Sequence, residues 1–204
     1  VTSVITVAAI IHGLNSYIGS MVKEIGAKVF FVSRFPAFGR IDRWTEEIRQ
    51  RKHFTYADAV ALRECPSVEV ATPLLSRAIF FQHYTEVRYR NRMVEILLVR
   101  GAEPEFMQTI PGIAVKEGRM FTHSENDHAE RVTVLGLAIA DSLFGREDPI
   151  GKTIRLNGLE FRVLGVLERH QGVFGTPGAD QVVLIPYKTF TKLWPEIEEV
   201  ILWV

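Results

Sequence analysis

Apolar residues crowd the start of the chain. Val1 to Ile11 is apolar except for Thr2, Ser3 and Thr6, and beyond it Leu14, Tyr17, Ile18, Met21, Val22 and Ile25 recur at helical spacing. Asn15, Ser16, Ser20, Lys23 and Glu24 fall on the other faces. The pattern predicts one helix over 1–26, apolar all round where it begins and one-sided where it ends, closed by Gly26. The apolar run is about half of the ~20 residues that a bilayer crossing needs. No charged leader or small-residue cleavage site accompanies it. Two readings stay open: the end of a membrane helix, or a helix buried in the chain's own core. Hydrogen exchange separates them, being slow in a core helix and fast in a frayed stub.

After Gly26 the period changes. Ala27 to Ser33 is a short apolar, β-rich run that predicts a buried strand. The stretch from Arg34 to Phe54, with Pro36, Gly39, Trp44 and a charged run from Glu46 to Lys52, predicts an exposed loop carrying a short helix over 43–51. Thr55 is placed to cap a helix through Ala57, Val60 and Leu62, Pro66 ends it, and Val68 to Leu75 predicts the next strand. From Ala78 to Val99 the chain reads as extended, reversing at Arg90-Asn91 between Glu86–Tyr89 and Met93–Val99 and ending at Gly101. A short helix around 104–109, a strand over 131–135 and a helix over 137–144 closed by Gly145 follow. The sharpest local pattern spans Thr153 to Val166. Ile154, Leu156, Leu159, Phe161 and Val163 share one face of a hairpin turning at Asn157-Gly158, while Arg155, Glu160 and Arg162 share the other. A strand over 181–185, a helix over 187–194 and a strand over 199–204 complete the series.

Composition narrows the function. Twenty-four basic and 24 acidic residues cancel, so no global field gathers nucleic acid, and a nucleic-acid partner is not expected. The chain's 204 residues are enough to bury a sizeable core without metal or disulfide. The single cysteine, Cys65, lies between Glu64 and Pro66 with no cation beside it in sequence to favour a thiolate, and reads as a structural side chain.

Three segments invite chemical readings. Gly145 to Thr153, GREDPIGKT, resembles a phosphate-binding loop, but five residues separate the glycines where that pattern has four. It also follows a helix and opens a hairpin, whereas a phosphate loop follows a strand and opens a helix. His123, Glu125, Asp127 and His128 crowd one window, yet their spacing is that of a polar loop rather than of HExxH. No nucleophile, base and orienting group stand in a recognisable pattern, so no catalytic residue, cofactor or metal is expected and the chain does not read as an enzyme. The loop from Gln171 to Asp180 is different. Gly172, Gly175, Pro177 and Gly178 surround Val173 and Phe174, and two apolar side chains on such a segment make them the candidate contact for a partner or cargo.

RVTVLGLAIADSLFGREDPIGKTIRLNGLEFRVLGVLE, from Arg131 to Glu168, resembles the central signature of the periplasmic core domain of MacB/FtsX-like ABC transporter permeases. VLIPY from Val183, EGRMFT from Glu117, FTYADAVALRECPSVEVATP from Phe54 and the opening VTSVITVAAIIHGL are similar to flanking parts of the same domain. The resemblance implies an α+β fold of two lobes: a discontinuous membrane-proximal lobe, 28–75 plus 187–204, and an inserted mixed α/β lobe over 76–186, with 1–26 continuing from a membrane helix. It also implies a location on the periplasmic side of the inner membrane, with membrane contact through flanking helices and a dimeric permease. A cytoplasmic ABC ATPase outside this chain would supply energy, and a periplasmic adaptor or cargo would be the further partner. The function expected is coupling of ATP hydrolysis to export, lipoprotein release or partner activation. The rival expectation is a standalone soluble extracytoplasmic binding module with no transport role.

Overall fold

The computed structural model describes residues 29–34, 46, 50–78, 85–96, 98–110, 113–169 and 179–204. Eleven strands form one mixed sheet: β1 (Phe31–Val32), β2 (Thr72–Ala78), β3 (Thr85–Tyr89), β4 (Arg92–Ile96), β5 (Leu98–Ala102), β6 (Val115–Gly118), β7 (Val132–Leu135), β8 (Thr153–Leu156), β9 (Leu159–Leu167), β10 (Val182–Pro186) and β11 (Val200–Trp203). Their order is β1-β11-β2-β5-β10-β7-β9-β8-β3-β4, with β6 pairing β9 beside this path. β5 and β10 run parallel, as do β7 and β9, and every other pair is antiparallel. Among the helices described over their whole length are α1 (Tyr56–Arg63), α2 (His123–Asp127), α3 (Leu137–Phe144) and α4 (Tyr187–Leu193).

The central strands are apolar at successive positions because both of their faces are covered. Val99, Val183 and Ile185 join the cluster that holds Ala59 of α1, Leu143 of α3 and Phe190 of α4. Leu98, Val182 and Leu184 point the other way, into a cluster with Phe106 of the 3₁₀ turn Pro104–Gln108 and with Phe121. Two packed layers on opposite faces of one sheet result, with α1, α3 and α4 all on the first.

Local chemistry explains most element boundaries. Asp58 accepts from both Thr55 N and Thr55 Oγ1, at 2.6 and 2.8 Å, and so fixes the start of α1. Asn157 and Gly158 both have positive φ, 49° and 81°, as a type I′ turn requires. Phe161, Val163, Ile154 and Leu156 are buried while Arg155, Glu160 and Arg162 are exposed, which is the predicted division of the hairpin.

Several boundaries depart from the sequence pattern. Of the run at 27–33, residues 29–33 are described and do not form a buried strand; β1 is a two-residue edge strand, and Phe30 and Phe31 are 54% and 45% exposed. The strand expected at 68–75 begins only at Thr72, because Val68 N closes a turn onto Cys65 O at 3.0 Å. The arm expected over 93–99 is two strands, β4 and β5, and Gly101 lies inside β5 rather than ending it. A Cβ at Gly101 would stand 2.4 Å from Phe190 Cβ, so glycine there lets α4 lie directly on the strand. Of the helix expected over 43–51 Glu46, Gln50 and Arg51 are described; the first two are helical, Arg51 lies in a bend, and Gln50 Nε2 donates to Glu46 Oε1 at 3.4 Å.

Candidate functional site at the shared end of the chain

The first and last described segments meet at one sheet edge. Phe30 N donates to Val204 O and Val204 N to Phe30 O, both at 2.9 Å, and the ladder continues through Phe31↔Trp203 and Val32↔Leu202. Antiparallel pairing sends the backbone at Val29 and at Val204 to the same end of that edge. The Phe31 and Trp203 rings lie 5.5 Å apart, and Phe106 meets Trp203 edge-on at 6.3 Å. The edge therefore couples directly to the second core cluster. Beside it, a groove of about 620 Å³ is lined by Val29, Phe30, Val68, Thr109 and Val204 among others.

Polar ties hold this end against the remaining elements. Arg34, just beyond β1, pairs with Glu199, just before β11, at 2.7 Å, and His53 Nδ1 lies 3.0 Å from the same carboxylate. Glu103, at the end of β5, is buried; Tyr56 Oη of α1 donates to it at 2.7 Å, and the Arg63 guanidinium at the other end of α1 pairs with its second oxygen. Arg63 Nε also donates to Ala71 O at 2.8 Å, next to β2. One helix is thereby fastened to two strands. Burial, and then the Glu103 charge, push the Tyr187 phenol up to about 12, and Tyr56 is raised by burial and then by its hydrogen bond to Glu103.

The start of α4 is capped from a distance. Pro186 occupies its N-cap and offers no side-chain acceptor. Instead, Asn126 Oδ1 of α2 accepts from Lys188 N at 3.1 Å, Thr189 Oγ1 donates to Glu130 O at 2.8 Å, and Lys188 Nζ pairs with Asp127 at 2.8 Å. α2 is itself held by Glu125, which accepts from Thr122 N, Thr122 Oγ1 and both terminal nitrogens of Arg119. The Arg119 hydrogen bonds, with those from Thr122, lower the Glu125 carboxyl to about 2.

These contacts account for the segments that invited chemistry. In the window His123 to His128, Glu125 faces Arg119, Asp127 faces Lys188, His123 Nε2 lies 2.5 Å from Glu105, and His128 Nδ1 donates to Ser124 O at 2.8 Å. The four groups diverge to separate partners. In GREDPIGKT, Gly145 caps the C-terminus of α3 and Asp148 Oδ1 accepts from Ile150 N at 2.9 Å, so the segment is the turn into β8. Glu147 there gathers Tyr89, Arg90 and Lys152. Val173 and Phe174, the sequence candidates for partner contact, lie outside the described residues, as does the helix expected over 1–26. The resemblance implies that both chain ends face the membrane, but the pairing of Phe30 with Val204 and the Tyr56–Glu103–Arg63 tie were not singled out from sequence. Their one readable hint is Glu103 itself, an acid standing between an apolar strand and Pro104.

The arrangement has no converging nucleophile, base or ligand set among the described residues. What it provides is a braced unit in which the first and last described segments pair at one edge. No described helix is long and apolar enough to cross a membrane. Comparison with known proteins bears on where such a unit belongs. A macrolide export ATP-binding/permease protein MacB of Rhodopirellula baltica is 29% identical over 193 residues, covering 93% of this chain and 26% of that protein. The chain thus spans about a quarter of that relative's length. The crystal structure of the periplasmic region of MacB from Actinobacillus actinomycetemcomitans matches with a TM-score of 0.70 at 22% identity, over 90% of this chain and 76% of that one. The extracellular domain of the ABC-type transporter YknZ from Gram-positive bacteria matches with a TM-score of 0.59 at 20% identity, over 74% and 72%. The mixed α/β fold is that of these ectodomains. The model of the MacB-like periplasmic core domain matches residues 1–204, and the chain belongs to that family of extracytoplasmic transporter-permease domains.

Proposed function

We propose that this chain is the transmission domain of an ABC transporter permease, standing on the periplasmic side of the inner membrane and moved as a body when a cytoplasmic ATPase works. The observation that carries the proposal is the reciprocal pair between Phe30 and Val204, because membrane helices joined on either side of the domain would then enter at one edge. The ties of Glu199 to Arg34 and of Glu103 to α1 support it, since they brace that edge against two further elements. Export is the form of work proposed, on the strength of the relatives named as macrolide export proteins. The partners proposed are the ATPase, a second copy of the permease, and an adaptor or cargo outside the membrane, with Val173 and Phe174 as its contact.

The test uses the whole permease. Deleting residues 29–204 should leave ATP hydrolysis measurable and abolish export; export by the deleted protein sinks the proposal. A second arm replaces Phe30 and Val204 by cysteine. Residues that exchange both hydrogen bonds sit about 5.5 Å apart at Cα, which a disulfide spans. Oxidation should leave export unchanged, because a body that moves whole does not part its ends. Export lost on oxidation and recovered with a reductant would show that the ends separate in the cycle.

A further inference from the structure

A second feature lies on the helical face of the sheet, between α1 and α4. A cleft of about 420 Å³ opens there, with Leu75 and Val200 at its floor and Tyr56, Tyr187 and Trp194 on its walls. That volume falls in the range of small-molecule sites, which are mostly apolar with a few placed polar groups. The Tyr56 and Tyr187 rings are 5.4 Å apart and tilted by 50°, so they do not close on each other face to face.

The chemistry of the walls selects a charge. Aromatic faces are electronegative and attract cations. The Trp194 ring already holds an internal cation in this way, the Arg77 guanidinium 5.1 Å from its centre, so Tyr56 and Tyr187 are the rings left to meet a ligand. Glu198 lines the cleft, is exposed, and makes no ion pair among the described residues. The buried Glu103 carboxylate stands behind the wall, joined to it through the Tyr56 hydroxyl at 2.7 Å, but Arg63 pairs with it, so the uncompensated charge at the cleft is that of Glu198. The raised phenols of Tyr56 and Tyr187 agree with a low-dielectric, negative surrounding. Among the described lining residues the one cationic group is His53, 3.0 Å from Glu199, and Arg77 beside Trp194 is paired with Glu196 at 3.7 Å.

We infer that the cleft between α1 and α4 binds a small hydrophobic organic cation, its apolar frame against Leu75 and Val200 and its ammonium between the aromatic walls and Glu198. Binding of this kind belongs to the domain itself and does not depend on the transport proposal.

The experiment titrates this chain with benzyltrimethylammonium, with its neutral carbon isostere neopentylbenzene, and with benzenesulfonate, following the Trp194 indole resonance by NMR. The cation should shift that resonance saturably at millimolar concentration, and the neutral and anionic probes should bind about tenfold more weakly or not at all. Glu198→Gln, at an exposed position, should weaken the cation about fivefold while the melting temperature holds. Thr191→Trp, which fills the cleft from α4, should abolish the shift. Absence of a saturable shift, equal binding of the neutral isostere, or unchanged binding in either variant overturns the assignment. Glu198→Gln keeps the test decisive should the larger tryptophan disturb packing.

Discussion

Glu125 illustrates how a single side chain in a polar window can serve architecture. Its carboxylate is 7% exposed, carries four charge-assisted or neutral hydrogen bonds, and anchors the helix whose next residue, Asn126, caps α4. The carboxyl titrates near 2 in the fold against an ordinary value of 4.5. A depressed carboxylate contributes stability that is fully present above its unfolded pKa and is lost as pH falls through its folded pKa. The melting temperature should therefore fall between about pH 5 and pH 2 by more in the native chain than in Glu125→Gln, which has nothing to protonate. Parallel pH profiles for the two chains would contradict this account. From sequence the same residue stood among His123, Asp127 and His128 as one of four grouped polar groups. Which way each would face was decided by Arg119, Lys188 and Glu105, of which only Arg119 lies close by in the chain.

Elements were legible where their cause is local. The β8–β9 hairpin follows from a two-residue turn and strict alternation, and α1 from a cap three residues ahead of its partner acid; each needs only neighbours. Elements set by distant contacts were not. Nothing near Gly101 marks it as the floor for Phe190, and nothing between Met93 and Ala102 marks the break that makes two strands of one apolar run. The start of α4 is the clearest case, because its own N-cap is a proline and its acceptor comes from Asn126, far back in the chain. Asn126→Ala should cost about 1–2 kcal/mol, the range of a lost helix cap whose backbone donor is left partly buried. Chemical denaturation with an unchanged slope would measure it. A loss within the scatter of a surface substitution, such as Lys192→Ala, would mean that water replaces the asparagine at no cost.

At the scale of the whole molecule, the two lobes implied by the family resemblance share one sheet. β1 and β11 of the discontinuous lobe are neighbours at one end with β2, which itself crosses the expected boundary at 75/76, and β5 of the inserted segment follows directly through Leu75↔Gly101 and Ser76↔Arg100. The sheet order was not legible from the sequence, because it rests on pairings between strands far apart in the chain. What local pattern did support was the number and type of most elements, and the family resemblance supplied the mixed α/β class. A continuous sheet makes a prediction about cooperativity. The chain's tryptophans, Trp44, Trp194 and Trp203, all fall in the segments assigned to the membrane-proximal lobe, with Trp203 against Phe106 and Trp194 against Arg77 of the inserted segment, so indole fluorescence reports on that lobe and on its seam with the other. Backbone circular dichroism reports on both. If the ladder between β2 and β5 couples the lobes, the two signals should trace one unfolding transition with a common midpoint, as a two-state unit requires. Disrupting that ladder with Ser76→Pro, which removes a donor beside β5, should then separate the midpoints or unfold the chain outright. Separate midpoints in the unaltered chain would show that the lobes unfold independently and that the sheet merely passes between them.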